Sequence, residues 1–237
     1  MKFKFSYRPY SGQEFRPTPE VHIDEKVLIV ATPWGQRDAA KKVIDRILGH
    51  LALCADDHEA TTPFQRLSCL SPSANNLRIA ALVANESLYR EENSREYRLG
   101  VELFSMFLSE GDLVWLQIGQ PQVLLARKSR RAIPLGGSMD LSFDLSENER
   151  LLPSLPHQLL GIETSVNLTI NSFRPKDQDQ IILLSHSQLP SEIFQGKSHS
   201  NNHDNKLTLD EISRKLSENT PQLAFWLGLV ELSENLS

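Results

Sequence analysis

An apolar run from Val27 to Ala31 meets Pro33 and Gly35, and the chain then changes period: Ala39, Ala40, Val43, Ile44, Ile47 and Leu48 recur at helical spacing. Residues 21–31 are expected to form a strand and Asp38 to about Leu53 a helix, joined by a tight corner at Thr32–Arg37. The polar, proline-bearing stretch ADDHEATTPFQRLSCLSPSAN reads as a surface loop. A second helix, from Asn75 to Glu92, places Leu77, Ala80, Ala81, Ala84 and Leu88 on one face.

The pattern then shortens to strands. VELFSMFL, DLVWLQI and QVLLAR are expected to form a meander, joined by Ser109-Glu110-Gly111 and by Gly119-Gln120-Pro121. A polar connection from Pro134 to Arg150 follows, in which Gly136-Gly137 signals a turn. Val166, Leu168 and Ile170 alternate with polar residues, so that strand has one buried face, and RPKDQD turns it back into QIILLS. Thr208 and Glu211 make a capping box for a helix to about Glu218, and LAFWLGLVEL fits a central strand. The segregation of helices from antiparallel strands indicates an α+β class in one domain, residues 1–237. Residues 195–206, QGKSHSNNHDNK, are the candidate for a disordered loop.

A chain of 237 residues can bury a core that needs no disulfide or metal staple. Its two cysteines, Cys54 and Cys69, have no metal-site spacing and are expected as free thiols. A net charge of -5 argues against a nucleic-acid binder. MKFKFSYRPYSGQEF lacks the apolar core of a secretory signal, and no later segment reaches the ~20 apolar residues of a membrane span, so a cytoplasmic location is expected.

Four places in this order of elements resemble the metal-dependent Ser/Thr protein phosphatase family called PPM or PP2C-like. They lie within residues 21–232. The family corner V-A-D-G-x-G-G-H corresponds to Val30, Ala31, Thr32, Pro33, Trp34, Gly35, Gln36 and Arg37. A helix-borne A-N pair is matched by Ala84-Asn85, ahead of the glycine-led strand at Gly100-Val101. The hairpin G-D-S-R is matched by Gly119-Gln120-Pro121-Gln122. The pattern of a proline, L-G, a strand and L-L-x-S-D-G-L resembles Pro156 to Gly161, VNLTINSF and IILLSHSQL, with Ser185-His186-Ser187 in place of S-D-G.

The resemblance implies an α-β-β-α sandwich of two mainly antiparallel sheets flanked by helices, and two Mg²⁺ or Mn²⁺ ions that activate a water. The departures from its pattern also imply that most of the dimetal ligands have been lost. Thr32 stands at the bridging aspartate, His186 at a second aspartate, and Pro33 at a glycine whose replacement by a fixed φ should redirect the loop. The last acidic pair falls on Thr220-Pro221 or, with a shift of two, Glu218-Asn219; Asp204-Asn205 comes too early. Hard divalent ions need several anionic oxygens. Without the ion, water keeps a pKa far above neutral instead of falling to about 7.

The expected product is a pseudophosphatase, with no catalytic residue and no metal. Thr32, Pro33, Trp34, Gln120 and His186 would line a vestigial cleft, and the partner would be a phosphoprotein or a kinase. The alternative is an active phosphatase with a rearranged Mn or Mg centre using Glu218, His186 or Asp24. Trp34 fits either a partner anchor or a plug of the vacated site. His186 with His199 and His203 allows a zinc reading, against the plainer one of a strand-end histidine. Ser185 or Ser187 with His186 makes a poor nucleophilic pair, because neighbours on a strand point to opposite faces. Arg127, Lys128, Arg130 and Arg131 read as a solvated hairpin end or a contact for an acidic partner. Arg8 and Arg16 both compete for the family's phosphate-holding arginine.

Overall fold

The computed structural model describes residues 1–12, 15–56, 63–109, 111–127, 131–138, 141–142, 155–185, 208–219, 221 and 223–234. The chain gathers into two compact units, one of Met1–Arg16, Gln120–His157 and Pro175–Ser237, the other of Pro17–Gly119 and Gln158–Arg174. Each holds one five-stranded antiparallel sheet, as an α+β fold with two antiparallel sheets requires.

In the second unit the sheet order is β2 (Glu20–Ile23), β3 (Val27–Trp34), β4 (Gly100–Ser109), β5 (Asp112–Ile118) and β8 (Thr169–Phe173). Helices α1 (Asp38–Asp56) and α2 (Pro72–Leu88) cover one face of it. Val27, Ile29 and Ala31 of β3, Val101 and Leu103 of β4, and Val114, Leu116 and Ile118 of β5 point to these helices. Ala39 and Ala40 on α1 and Ala80, Ala81 and Ala84 on α2 are small enough for close packing, while Ile47 and Leu77, each sealed from solvent, contribute about 2 kcal/mol apiece. By the strand's period of two, Leu28, Val30 and Thr32 face the other way and are also buried.

In the first unit the order is β1 (Lys2–Tyr10), β10 (Phe225–Ser233), β9 (Gln180–Leu184), β6 (Gln122–Ala126) and β7 (Ile133–Gly136). Helix α3 (Leu209–Asn219) packs Ile212 and Leu216 on Leu124, Ile182, Leu184, Phe225, Leu227 and Leu229. Its start carries the donor half of the expected capping box, Glu211 N–H to Thr208 Oγ1 at 3.3 Å.

Several expectations are corrected. Residues 21–31 are two strands, because Asp24-Glu25-Lys26 turns the chain and Asp24 Oδ1 accepts from Lys26 N and Val27 N at 2.8 and 2.7 Å. The three central strands are not one meander. β4 and β5 pair, but Gly119-Gln120, followed by the cis Gln120–Pro121 peptide, carries β6 into the other sheet. Gly136 ends strand β7 and pairs with Val123 instead of making a turn. Helix α2 begins at Pro72, three residues before the expected Asn75, with Ser71 Oγ accepting from Ala74 N at 3.2 Å; Ser-Pro is a cap followed by a first helical position. β8 starts at Thr169, although Val166, Leu168 and Ile170 do pack on the helix-side core. Among the described residues no helix is long and apolar enough to cross a membrane. The stretch 195–206 lies outside the described residues.

Candidate functional site: the corner at the end of β3

The strand-to-helix corner exists as expected, but its shape differs. Pro33 does not redirect the chain. β3 runs straight through it, pairing Pro33 with Val101 and Trp34 with Gly100. Proline is tolerated there because β2 has already ended at the pair Glu20 and Ala31, so β3 has a neighbour on one side only. The turn falls at Gly35, whose φ of +95° lies in the left-handed region, and a Cβ there would sit 2.3 Å from Arg98 O. Gly35 is therefore required twice, by conformation and by contact. Gln36 O accepts from Ala39 N at 3.3 Å, and α1 begins with Asp38, which pairs with Lys42 Nζ at 3.0 Å.

Thr32 is 1 % exposed and stands directly across from Glu102 of β4, which is 0 % exposed. Opposite residues in an antiparallel ladder share a face. The end of this sheet thus carries a hydroxyl on β3 and a carboxylate on β4. Gln117 of β5 shares the face; its Nε2 donates to Gly119 O at 2.8 Å, and a Cβ on Gly119 would lie 3.0 Å from Glu102 Cγ. Sequence reasoning missed Glu102. The signal was its charge, alone in the apolar strand GVELFSMFLS.

Two of the motifs that carry the resemblance meet. Asn85, buried on α2, accepts from Gly161 N at 2.7 Å and donates to Glu163 O at 3.0 Å. Gly161, at φ +91°, packs so closely on Leu88 that a Cβ would stand 2.5 Å from its Cδ2. Its carbonyl accepts from Asn93 Nδ2 at 2.6 Å. Asn93 closes a single π-helical turn, Tyr89–Asn93, and also binds Leu99 O at 2.8 Å, Arg98 N at 2.8 Å and Leu99 N at 3.3 Å. One buried asparagine thereby pins the strap 94–98 whose carbonyl meets Gly35. Nothing in the residue pattern marked Asn93, because the π turn that aims it has no sequence signature.

The other predicted residues scatter. Trp34 is half-buried, between the two roles expected of it. Gln120 is buried and opens the segment that belongs to the other unit. His186, with Ser187, His199, His203, Lys128 and Arg130, lies outside the described residues. Asp24 sits before β3, whereas Thr32 lies five residues beyond Val27, about 17 Å along the strand, so Asp24 does not join the corner. Burial pushes the Asp24 carboxyl up, but the Lys26 and Val27 amides and the His22 ring together outweigh it and hold it below the usual carboxylate range. Glu218 is exposed near the end of α3. Arg8 is exposed and paired with Asp210 Oδ1 at 2.6 Å, whereas Arg16 is only 8 % exposed. Arg127 Nε lies 3.4 Å from buried Asp179. Ser185 Oγ donates to Trp226 O at 3.1 Å and accepts from Trp226 N at 2.7 Å, which makes it a strand latch instead of a nucleophile. Cys54 and Cys69 are not in a disulfide, and Cys54 Sγ is 3.4 Å from His50 Nε2.

The described donor set does not fit a pair of hard divalent ions. The corner offers one hydroxyl and one carboxylate, and no group of three or more His, Cys, Asp or Glu among the described residues is arranged to hold a metal.

No family model matches the chain, and no curated protein matches it. Solved structures do. The Ser/Thr phosphatase Stp1 from Staphylococcus aureus superposes with a TM-score of 0.64 at 15% identity, covering 98% of this chain and 96% of that one. The PPM Ser-Thr phosphatase MsPP from Mycobacterium smegmatis, in complex with cacodylate, gives 0.61 at 14%, covering 97% and 98%. The catalytic domain of the phosphatase PstP, in complex with two manganese ions, gives 0.60 at 14%, covering 98% and 99%. Over nearly its whole length, this chain has the fold of the PPM, or PP2C-like, Ser/Thr protein phosphatases.

Proposed function

We propose that the chain is a pseudophosphatase: one PP2C-like domain that acts as a protein-binding or scaffolding module in phosphorylation signalling. The observation that carries this reading is the buried Thr32 at the end of β3. Gly35 keeps the strand-to-helix corner in shape, and the residue that resembles the bridging aspartate has no charge to offer a cation. A divalent ion pays a large dehydration penalty that only several anionic oxygens offset. Without the ion the attacking water keeps its proton near neutral pH. The partner on this reading is a phosphoprotein or a kinase.

Glu102 supports a second reading, an active phosphatase with a rearranged centre. Its carboxyl group is one strand away from Thr32, so one acidic side chain remains at that end of the sheet. Mn²⁺-dependent hydrolysis of an aryl phosphate by the purified full chain separates the two. The pseudophosphatase reading expects turnover indistinguishable from buffer, with or without EDTA. Robust EDTA-sensitive turnover that Glu102→Gln abolishes establishes the second reading instead.

A further inference from the structure

We propose that the corner Gly35–Arg37 and the strap 94–98 form a docking surface for a phosphorylated peptide segment of a partner protein. The inference rests on the protein-binding reading above and names the partner's chemistry. The two segments touch at Gly35 and Arg98 O, and between them they expose Arg37, Arg95, Tyr97 and Arg98. Tyr97 is 72 % exposed, an unusual position for so large a ring.

The local charge is unbalanced. Nearby acidic side chains are engaged by other cations: Asp38 and Glu92 share Lys42, Glu91 pairs with Arg46, and Glu86 with Arg90. Within the patch Glu96 pairs with Arg98, 3.5 Å from its Nε. Arg37 and Arg95 make no ion pair among the described residues. This surplus stands on a chain whose net charge is -5, so an anionic segment is attracted here and repelled over much of the remaining surface.

Guanidinium forks match the oxygens of a phosphate better than an ammonium does, and a phosphoserine brings nearly two negative charges where a glutamate brings one. An exposed tyrosine among arginines is the composition of an interface hot spot. The strap is also held in advance. Asn93 fixes Arg98 N, Leu99 N and Leu99 O from within, so ordering it on binding costs little.

The test measures fluorescence anisotropy of the full chain with fluorescein-labelled nonapeptide mixtures. Random residues flank a central phosphoserine, serine or glutamate. The phosphoserine mixture is expected to bind at least about fivefold tighter than either other, with affinity falling steeply as salt rises. Arg95→Glu with Arg98→Glu should weaken it by about tenfold or more, and Tyr97→Ala by several-fold. Arg174→Glu, on a side chain 89 % exposed at the end of β8, should leave it unchanged. Circular dichroism establishes that each variant is folded. Equal binding of all three mixtures, equal binding of the glutamate and phosphoserine mixtures, indifference to the double charge reversal, or no binding at all overturns the proposal. EDTA-sensitive release of phosphate from the same mixture instead overturns the pseudophosphatase reading, wherever the peptide docks.

Discussion

Replacing Thr32 by aspartate returns to the corner the carboxylate that the family pattern carries there, and the structure says what it meets. Position 32 is 1 % exposed and opposite Glu102, which is fully buried. Facing side chains in an antiparallel pair have Cβ atoms about 5 Å apart. Two charges at that distance repel by about 3 kcal/mol at an effective dielectric constant near 20. Desolvation of the new carboxylate adds to this, so one of the pair should take up a proton. Thr32→Asn supplies the neutral control of nearly the same shape. Urea unfolding followed by tryptophan fluorescence should therefore show Thr32→Asp less stable than Thr32→Asn by about 3 kcal/mol or more near pH 8. A carboxyl whose folded pKa is raised binds its proton more tightly folded than unfolded. The penalty is absent below the unfolded pKa, grows as pH rises, and is complete above the folded pKa. The gap between the two variants should thus close as pH falls towards about 4. A gap under about 1 kcal/mol at pH 8, or one independent of pH, would refute the placement of Glu102 against position 32.

Gly35→Ala forces a Cβ into Arg98 O at a positive φ and should lower stability by about 2–4 kcal/mol, read as the urea midpoint at constant slope. Asn93→Ala strands Leu99 O and Gly161 O in the interior and should cost about 2–5 kcal/mol, with faster amide exchange confined first to the strap 94–98; a loss below 1 kcal/mol would contradict its role as the pin. Asp24 has a lowered pKa, so its contribution is present above the unfolded value and lost as pH falls through the folded one. Asp24→Asn should therefore flatten the acid limb of the stability profile, and an unchanged limb would show that the turn amides do not hold the carboxylate.

Much of the fold was legible because its sheets are buried and its helices amphipathic. The apolar runs of β5 and β6 and the stripe of α1 announce themselves. The misses share a physical cause: edge strands need less burial. β1, with Phe3 and Phe5 half-buried and Tyr7 exposed among Lys2, Lys4, Ser6 and Arg8, went unread, as did β7, whose Pro134 an edge position accepts. That β6 leaves the sheet of β5 was not legible either, since Gly119-Gln120-Pro121 suits a hairpin equally well. At the site, Thr32, Gly35 and Asn85 were found because they sit in a contiguous pattern. Glu102 becomes meaningful only through the β3–β4 register, and no local signal sets that register.

A pseudophosphatase of this fold has a corner that holds no divalent cation. Titration calorimetry of the EDTA-stripped full chain with Mn²⁺ tests it most directly. The expected heats are no different from dilution into buffer, well into the millimolar range. Two saturable sites per chain at micromolar Mn²⁺ would contradict it.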